Sequence, residues 1–173
     1  MEFRKAAETD IPAIAQIYED IHTVEESGVA AIGWIRDVYP TEQTAQAALA
    51  RDDLFVGEEN GRIVGAAIIN QQQVDSYKDG HWKFDVPEKQ VMVLHTLVIS
   101  PALARGGYGR RFVEFYEQYA LSNGCRYLRM DTNARNLRAR AMYRKLGYAE
   151  IGIVPCVFNG IEGVQLVLLE KAL

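Results

Sequence analysis

The sequence lacks the features that mark several large classes of protein. It has only two cysteines, Cys125 and Cys156, and their apolar settings favour reduced, buried thiols over a disulfide framework. No apolar run approaches the roughly 18 residues of a membrane span, and the first residues carry no apolar signal core. The histidines are scattered, without the spacing of a metal site. We therefore expect a cytoplasmic protein that binds neither a membrane nor a metal.

A strong excess of charge of either sign is also absent. The chain has 19 Lys+Arg and 23 Asp+Glu residues, a net charge of −4, which is too mild to indicate nucleic acid as the main partner. With 173 residues, 49% of them hydrophobic, it fits a single domain over residues 1–173 with a substantial core. A mildly acidic chain with a local arginine cluster suits a protein that holds one anionic ligand.

Hydrophobic periodicity and turn residues predict helices interleaved with strands. The predicted strands cover residues 2–6, 54–59, 62–70, 91–100, 126–132, 148–155 and 163–170. The predicted helices cover residues 10–23, 41–51, 108–122 and 136–146, with a short helical or loop element over 25–39. The polar segment 71–90 is expected to form a substrate-side loop or an irregular strand extension. This order indicates an α/β or α+β fold of three layers around one mixed sheet.

A glycine-rich turn separates the predicted strand 91–100 from the predicted helix 108–122. Its glycines and the neighbouring arginines are Gly106, Gly107 and Gly109, and Arg105, Arg110 and Arg111. Glycine permits positive φ angles and lets a ligand approach the main chain closely. The first N–H groups of a helix have no partner within it and carry partial positive charge, so such a turn accepts anions, phosphate above all. The sequence therefore predicts a pyrophosphate site here.

Two motifs in the second half of the chain indicate a family. The first is Leu97-Val-Ile-Ser-Pro101 followed by Arg105-Gly-Gly-Tyr-Gly109, and the second is Asn136-Leu-Arg-Ala-Arg-Ala-Met-Tyr-Arg-Lys-Leu-Gly-Tyr148. On these elements they resemble the GCN5-related N-acetyltransferases, the GNAT superfamily of acyl-CoA-dependent acyltransferases. The order of elements is similar over essentially the whole chain. One position departs from the family turn, because Ala104 stands where Gln or Arg is usual and Arg105 follows one place late.

The resemblance implies both the fold and the donor site. It implies a mixed, mostly antiparallel sheet of about seven strands, with helices on both faces and two splayed parallel strands, 91–100 and 126–132, in its middle. Acetyl-CoA is then the acyl donor, with its pyrophosphate on main-chain amides of residues 105–110 and its pantetheine arm along residues 97–99, as a strand added to an open edge. The implied donor-binding residues are Leu97, Val98, Ile99, Arg105, Gly106, Gly107, Tyr108, Gly109, Arg110 and Asn136.

The predicted helix 136–146 carries two candidates for a functional role. Asn136 either holds the pantetheine arm or a water, or caps the helix, and the two roles are compatible. Tyr143 lies two helical turns further on, so the two residues share one face. The resemblance implies that Tyr143 protonates the leaving thiolate. The alternative is a core tyrosine packed on the sheet.

The base that takes a proton from the acceptor amine is the second catalytic role. His95 is the first candidate, and at period two it shares a strand face with Leu97 and Ile99. Its ordinary pKa near ~6.5 suits proton abstraction at neutral pH, and some family members carry a histidine base here, although a strand histidine is also often structural. The alternatives are Glu88, Asp131 and a water. A main-chain N–H of Val98 or Ile99 would polarise the thioester carbonyl.

Side chains for the acceptor are predicted outside the two motifs. The acidic candidates that could attract a cationic amine, each taken singly more often an ordinary solvated carboxylate, are Glu19, Asp20, Glu25, Glu26, Asp75, Asp79 and Asp85. The aromatic candidates, for a pocket or a homodimer interface, are Trp34, Tyr77 and Trp82. The sequence thus predicts an acetyl-CoA-dependent N-acetyltransferase, in which a primary amine of a small molecule or protein attacks the thioester directly. The alternative from a different class is a non-catalytic acyl-CoA-binding sensor or scaffold.

Overall fold

Seven strands and four helices make up the framework of the computed structural model, which describes residues 1–103 and 106–173. The strands are β1 Glu2–Lys5, β2 Leu54–Glu59, β3 Arg62–Asn70, β4 Val91–Ile99, β5 Tyr127–Asn133, β6 Ala149–Phe158 and β7 Ile161–Ala172. The helices are α1 Ile11–Glu26, α2 Glu42–Ala50, α3 Tyr108–Ser122 and α4 Leu137–Lys145. The predicted mixed fold with helices among strands is confirmed.

The strands form one sheet in the order β1-β2-β3-β4-β5-β7-β6. Neighbours are antiparallel except β4 and β5, which are parallel. Parallel neighbours need a crossover connection, and α3 supplies it. Apolar side chains of α3 and α4 cover one face of the sheet, and those of α1 and α2 cover part of the other. The chain is therefore layered helix, sheet, helix, as predicted.

The two parallel strands separate in the middle of the sheet. Their pairing runs from Val91 opposite Tyr127 to Leu94 opposite Met130 and goes no further. Beyond that point β4 continues to pair with β3 on its other side, and β5 continues to pair with β7. Both strands are therefore held in place while a slot opens between their carboxyl ends. This is the predicted pair of splayed strands.

A β-bulge lies in β4 at the mouth of this slot. Thr96 has a φ of 49°, in the left-handed region. The register shifts here, since His95 lies opposite Ile68 and Val98 lies opposite Ala66, so that two residues of β4 face one of β3. A bulge of this kind adds one residue to the period of two.

The bulge corrects one expectation from strand periodicity. Leu97 and Ile99 pack against the core under α3, whereas Val98 belongs to the core under α1 and α2. His95 lies opposite Ile68, which is in that second core, so His95 shares a face with Val98. The predicted common face of His95, Leu97 and Ile99 is wrong, because the extra residue at the bulge reverses the alternation between them.

The segment 71–90 contains two short 3₁₀ turns, Asp75–Asp79 and Glu88–Gln90, and no strand. Tyr77 is the buried residue of the first turn, and it packs with Val91 and Val93 of β4. The segment is thus a loop laid against the sheet and not a strand extension, and its predicted place beside the substrate stays a prediction. Within the part of the chain that the structure describes, no helix is long and apolar enough to cross a membrane.

Candidate active site

An open cleft with a volume of about 1600 Å³ crosses the molecule at the slot between β4 and β5. One end of the cleft is the beginning of α3, and the other end is walled by α1, α2 and the segment between them. Residues from both separated strands form the middle, among them His95 and Asp131. A ligand pocket at the carboxyl ends of splayed strands is the usual position for a site in an α/β sheet.

The beginning of α3 presents to this cleft main-chain donors that have no acceptor within the helix. Gly107, which precedes the helix, has a φ of 73°, a conformation that glycine adopts without strain. The Arg111 N–H is bonded back to the Gly107 carbonyl at 3.2 Å. The N–H groups of Tyr108, Gly109 and Arg110 come earlier and have no acceptor in the helix. These three residues line the cleft, so their donors and the helix dipole suit an anion.

The arginines predicted around the glycine turn differ in position. Arg110 lines the cleft, and its guanidinium bonds Glu114 one turn along the helix at 2.7 Å. Arg111 instead reaches Glu59 at 3.4 Å and the Met1 carbonyl at 3.3 Å. Arg111 is thus directed towards the strand edge, which corrects the expectation that it adds charge at the turn. Arg105 lies outside the described residues.

Two further residues of the turn stabilise its shape. The Gly106 N–H donates to the Leu103 carbonyl at 3.0 Å. The Tyr108 hydroxyl donates to Glu59 of β2, and this hydrogen bond, with the N-terminal ammonium, lowers the pKa of Glu59 to about 2. Tyr108 therefore anchors the first turn of α3 to the sheet, while its main chain remains at the cleft.

The edge of β4 that borders the slot is the second donor-side feature. Leu97, Val98 and Ile99 all line the cleft. Because β5 is no longer paired with β4 here, the main-chain groups of residues 95–99 that alternate towards β5 have no strand partner. An extended ligand can add to such an edge.

Asn136 is the cap of α4. Its side-chain oxygen accepts the Ala139 N–H at 3.1 Å, which satisfies one of the unpaired donors at the start of the helix. Asn136 also lines the cleft. The predicted capping role is present in the structure, and the predicted contact to the donor stays a prediction.

Tyr143 projects from α4 to the cleft and is only 6% exposed. Burial raises the pKa of its hydroxyl above the ordinary value, and the nearby charge of Asp131 raises it further. The ring packs edge-on against Tyr148, with centroids 6.1 Å apart. The hydroxyl therefore stays protonated across the usual pH range, and its predicted role as proton donor stays a prediction.

Asp131 is the first residue of β5 beyond its last pair with β4. Its carboxylate accepts a hydrogen bond from the Tyr77 hydroxyl at 2.8 Å. Burial raises its pKa to about 6, and the Tyr77 hydrogen bond offsets this only in part. Within the described chain, no cation forms a salt bridge with it. A carboxyl group at the cleft with a pKa near neutrality is suited to accepting a proton.

His95 lies across the slot from Asp131, but its ring is held on the side of β3. Its Nε2 is 3.1 Å from the Asn70 side-chain oxygen and 3.0 Å from the Gln72 carbonyl. Both partners are acceptors, so Nε2 carries the hydrogen and donates. Burial lowers the pKa of His95 to about 4, so the imidazole is neutral at pH 7. Its role as base stays a prediction.

Glu88, an alternative base, is at the wrong end of β4. It is exposed in the 3₁₀ turn that precedes the strand. The four residues of β4 that pair with β5 separate it from the slot. The sequence pattern places Glu88 close to His95 along the chain, and the extended conformation between them carries it away from the cleft.

The predicted acidic residues for the acceptor do not line the cleft. Glu25 accepts the Gly33 N–H at 3.0 Å and also that of Ile32, which closes the loop after α1. Arg36 is paired with Glu19 and with Glu26. These carboxylates therefore stabilise the segment that forms one wall.

Of the predicted aromatic residues, one faces the cleft and two do not. Trp34 lines it, together with Tyr39 and Phe158, which sequence reasoning missed. Tyr77 and Trp82 instead pack on each other behind Asp131, where the Trp82 ring also contacts Arg129. The signal for Tyr39 and Phe158 is a contact between distant parts of the chain, so the sequence pattern does not contain it. Among described residues, no cluster of acidic, His or Cys side chains could hold a metal ion.

Comparison of the sequence with models of known protein families identifies the family of this chain. The model of the acetyltransferase (GNAT) family matches residues 12–148. The chain therefore belongs to the GNAT acetyltransferase family, which confirms the resemblance seen in the two motifs.

Individual relatives are similar over most of their length. The uncharacterized N-acetyltransferase YhfO of Bacillus subtilis is 25% identical over 152 residues, 87% of this chain and 91% of YhfO. A GNAT-family acetyltransferase structure from Streptococcus agalactiae has a TM-score of 0.83 at 22% identity, over 99% of this chain and 95% of that one. YncA from Salmonella typhimurium, solved with its cofactor acetyl-CoA, has a TM-score of 0.70 at 18% identity, over 99% of this chain and 93% of that one.

Proposed function

We propose that the protein transfers an acetyl group from acetyl-CoA to a primary amine. The observation that carries this proposal is the slot between β4 and β5, with free helix donors at one end and a proton donor and a proton acceptor at its apex. Those two groups are Tyr143 and Asp131, and both line the same cleft. The family and the acetyl-CoA bound in the YncA structure support the choice of donor.

The described residues fit such a donor. The N–H groups of Tyr108, Gly109 and Arg110 would hold its diphosphate, because they are aligned at a helix end and have no acceptor in the helix. The free edge of β4 at residues 95–99 would hold the pantetheine arm. Bound there, acetyl-CoA supplies a thioester, whose carbonyl carbon an amine attacks and whose sulfur leaves.

Asp131 takes the proton that the amine must lose. An alkyl amine with a pKa near ~10 reaches the site as an ammonium ion, which the ionised carboxylate attracts. Asp131 accepts one proton before the C–N bond forms, because only the neutral amine has a lone pair for attack. As the C–S bond breaks, Tyr143 gives its hydroxyl proton to the sulfur, and the second proton that the nitrogen loses on becoming an amide restores the Tyr143 hydroxyl.

Asp131 suits the role of base better than His95. A base works best when its pKa is near the working pH, and the pKa of Asp131 is about 6 whereas that of His95 is about 4. The Nε2–H group of His95 is also engaged by Asn70 and Gln72. His95 is then a positioning residue that fixes the end of β3 beside the slot.

The test is acetylation itself. Purified protein is incubated with acetyl-CoA and a panel of primary amines that includes small amines, polyamines, aminoglycosides and lysine peptides. We expect thiol release that depends on one class of amine, with the matching acetylated product in the mass spectrum. Tight binding of acetyl-CoA with no acetylated product from any amine would contradict the proposal and favour a non-catalytic acyl-CoA-binding module.

A further inference from the structure

The half of the cleft that faces α1 and α2 has an aromatic wall. Trp34 and Tyr39 meet edge to face with ring centroids 5.9 Å apart, and Tyr39 meets Phe158 in the same way at 5.5 Å. The Tyr39 hydroxyl shares a hydrogen bond with the Thr96 hydroxyl at the bulge of β4, so the middle ring is fixed to the sheet. Fixed rings offer apolar surface and negative ring faces, which attract another ring or an ammonium group.

Exposed valines extend this wall to the mouth of the cleft. Val29 is 81% exposed and Val38 is 43% exposed, and both line the cleft. Apolar side chains left in water at the rim of a pocket gain free energy when an apolar ligand covers them. The rim therefore continues the apolar character of the wall outwards from the slot.

Charge in the cleft is arranged for a single ammonium group. Asp131 is the one acidic residue among the described residues that line the cleft. On the α2 side the cleft has Arg51, whose guanidinium is held by Asp53 at 2.9 Å. A second or third ammonium on the same ligand would lie against apolar rings or near an arginine, with no carboxylate to compensate its desolvation.

Resting on the proposed amine acetylation, we infer that the acceptor is a small monoamine with an aromatic or bulky apolar body. Its single ammonium meets Asp131, and its body covers the aromatic wall. Polyamines and aminoglycosides carry several ammonium groups and no apolar body, so they match neither feature. The acidic side chains that would suit such polycations lie outside the cleft, where Arg36 and main-chain groups engage several of them.

The experiment compares matched amines with the intact protein and acetyl-CoA. Phenethylamine, tryptamine and tyramine form the aromatic series, and putrescine, spermidine and kanamycin form the polycationic series. We expect kcat/KM to be at least about tenfold higher for the aromatic series, because the polycations forfeit apolar contact and leave ammonium groups unpaired. Higher kcat/KM for the polycations would overturn the inference while leaving the proposed function intact. Failure of every amine would count against both.

Substitutions in the aromatic wall test whether it determines the preference for aromatic amines. Trp34→Ala should raise the KM for phenethylamine about tenfold and leave the KM for acetyl-CoA unchanged. Val38→Glu adds a carboxylate at the rim. It should lower the ratio of kcat/KM for phenethylamine to kcat/KM for putrescine by several fold. Val157→Ala is the matched control, because Val157 is 58% exposed on β6 and does not line the cleft, and it should change neither. If Trp34→Ala leaves the KM for phenethylamine unchanged, as Val157→Ala should, the wall does not bind the amine and the inference is overturned.

Discussion

In the proposed reaction two side chains at the apex of the slot, Tyr143 and Asp131, carry the proton transfers, and their environments differ. Burial keeps the Tyr143 hydroxyl protonated. Burial without a cationic partner raises the pKa of Asp131 to about 6. The two come from opposite sides of the opening, from α4 and from β5. The proposed proton donor and proton acceptor thus line the same cleft with pKa values shifted for different roles.

Replacement of Tyr143 by Phe should lower kcat roughly 100-fold and leave the affinity for acetyl-CoA nearly unchanged, because the hydroxyl acts on the leaving sulfur. The fold should be unaffected, since no described residue hydrogen-bonds to that hydroxyl and the ring is retained. Steady-state kinetics with a competent amine measures the effect. Tyr148→Phe is the matched control, because Tyr148 packs against Tyr143 but does not line the cleft. Equal kcat in Tyr143→Phe and the unaltered protein would remove the residue from the mechanism.

Asp131→Asn should remove the rise of kcat/KM with pH on the acidic side of the profile, the acid limb. In the unaltered protein kcat/KM should rise with pH through about 6, as the carboxylate becomes ionised. The Asn variant should be slower by roughly 100-fold or more at pH 8 and show no limb at this position. His95→Gln, which replaces a residue whose pKa is about 4, should keep the limb. Persistence of the limb in Asp131→Asn, or its loss in His95→Gln, would assign the base to another group.

The same substitution should change stability in the opposite direction from activity. The pKa of Asp131 is higher in the fold than in the unfolded chain, so the proton is bound more tightly in the fold. Its contribution to stability is therefore fully present below the ordinary carboxyl pKa and is lost as pH rises through about 6. Above that pH the fold bears the cost of a buried, ionised carboxylate, and asparagine has no charge to bury. In Asp131→Asn the free energy of unfolding should therefore rise by on the order of 2 kcal/mol at pH 8 and by little at pH 4. Urea denaturation at the two pH values tests this, and an equal change at both would contradict it.

At the scale of elements, the beginning of α3 carries the proposed donor site. The left-handed φ of Gly107 lets the chain turn into the helix with its first N–H groups facing the cleft. A Cβ added at Gly107 would meet nothing within 4 Å, so a side chain there would extend into open space. The bulge at Thr96 lies where the slot opens and shifts the register of β4 against β3.

Gly107→Glu should abolish binding of acetyl-CoA, because it places a bulky carboxylate where the diphosphate is expected. Gly107→Ala separates the causes, since it carries the backbone strain of a left-handed alanine, about 1 kcal/mol, without the charge. We expect the Ala variant to bind acetyl-CoA with only a modestly reduced affinity in calorimetry. Affinity for acetyl-CoA unaltered in Gly107→Glu would show that the diphosphate lies elsewhere.

At the scale of the whole molecule, local pattern predicted most of the framework. The predicted helix 108–122 and the predicted strands 54–59 and 62–70 have the bounds of α3, β2 and β3. Glycine turns and apolar periodicity are local signals, so a single sequence contains them. The strands β6 and β7 extend further than predicted, because their ends are set by pairing with each other and, at the end of β7, with β5.

What the sequence could not predict depends on contacts between distant residues. The bulge at Thr96 has no signature in a run of apolar residues, so period two placed His95 on the wrong face. The environment of Asp131 depends on Tyr77, which is 54 residues away in the chain and comes from an irregular loop. The aromatic wall likewise joins Tyr39 to Phe158. Cleft-lining residues within the two motifs were predictable, and Tyr39 and Phe158, which packing brings to the cleft, were not.

The central claim is that α3 and the free edge of β4 together hold acetyl-CoA in the slot. The most direct measurement is the change in backbone amide chemical shifts when coenzyme A is titrated into isotope-labelled protein. We expect the largest changes on Tyr108, Gly109 and Arg110 and on residues 95–99, with small changes over β1 and β2. Saturable binding that shifts other amides and leaves both of these groups unmoved would contradict it.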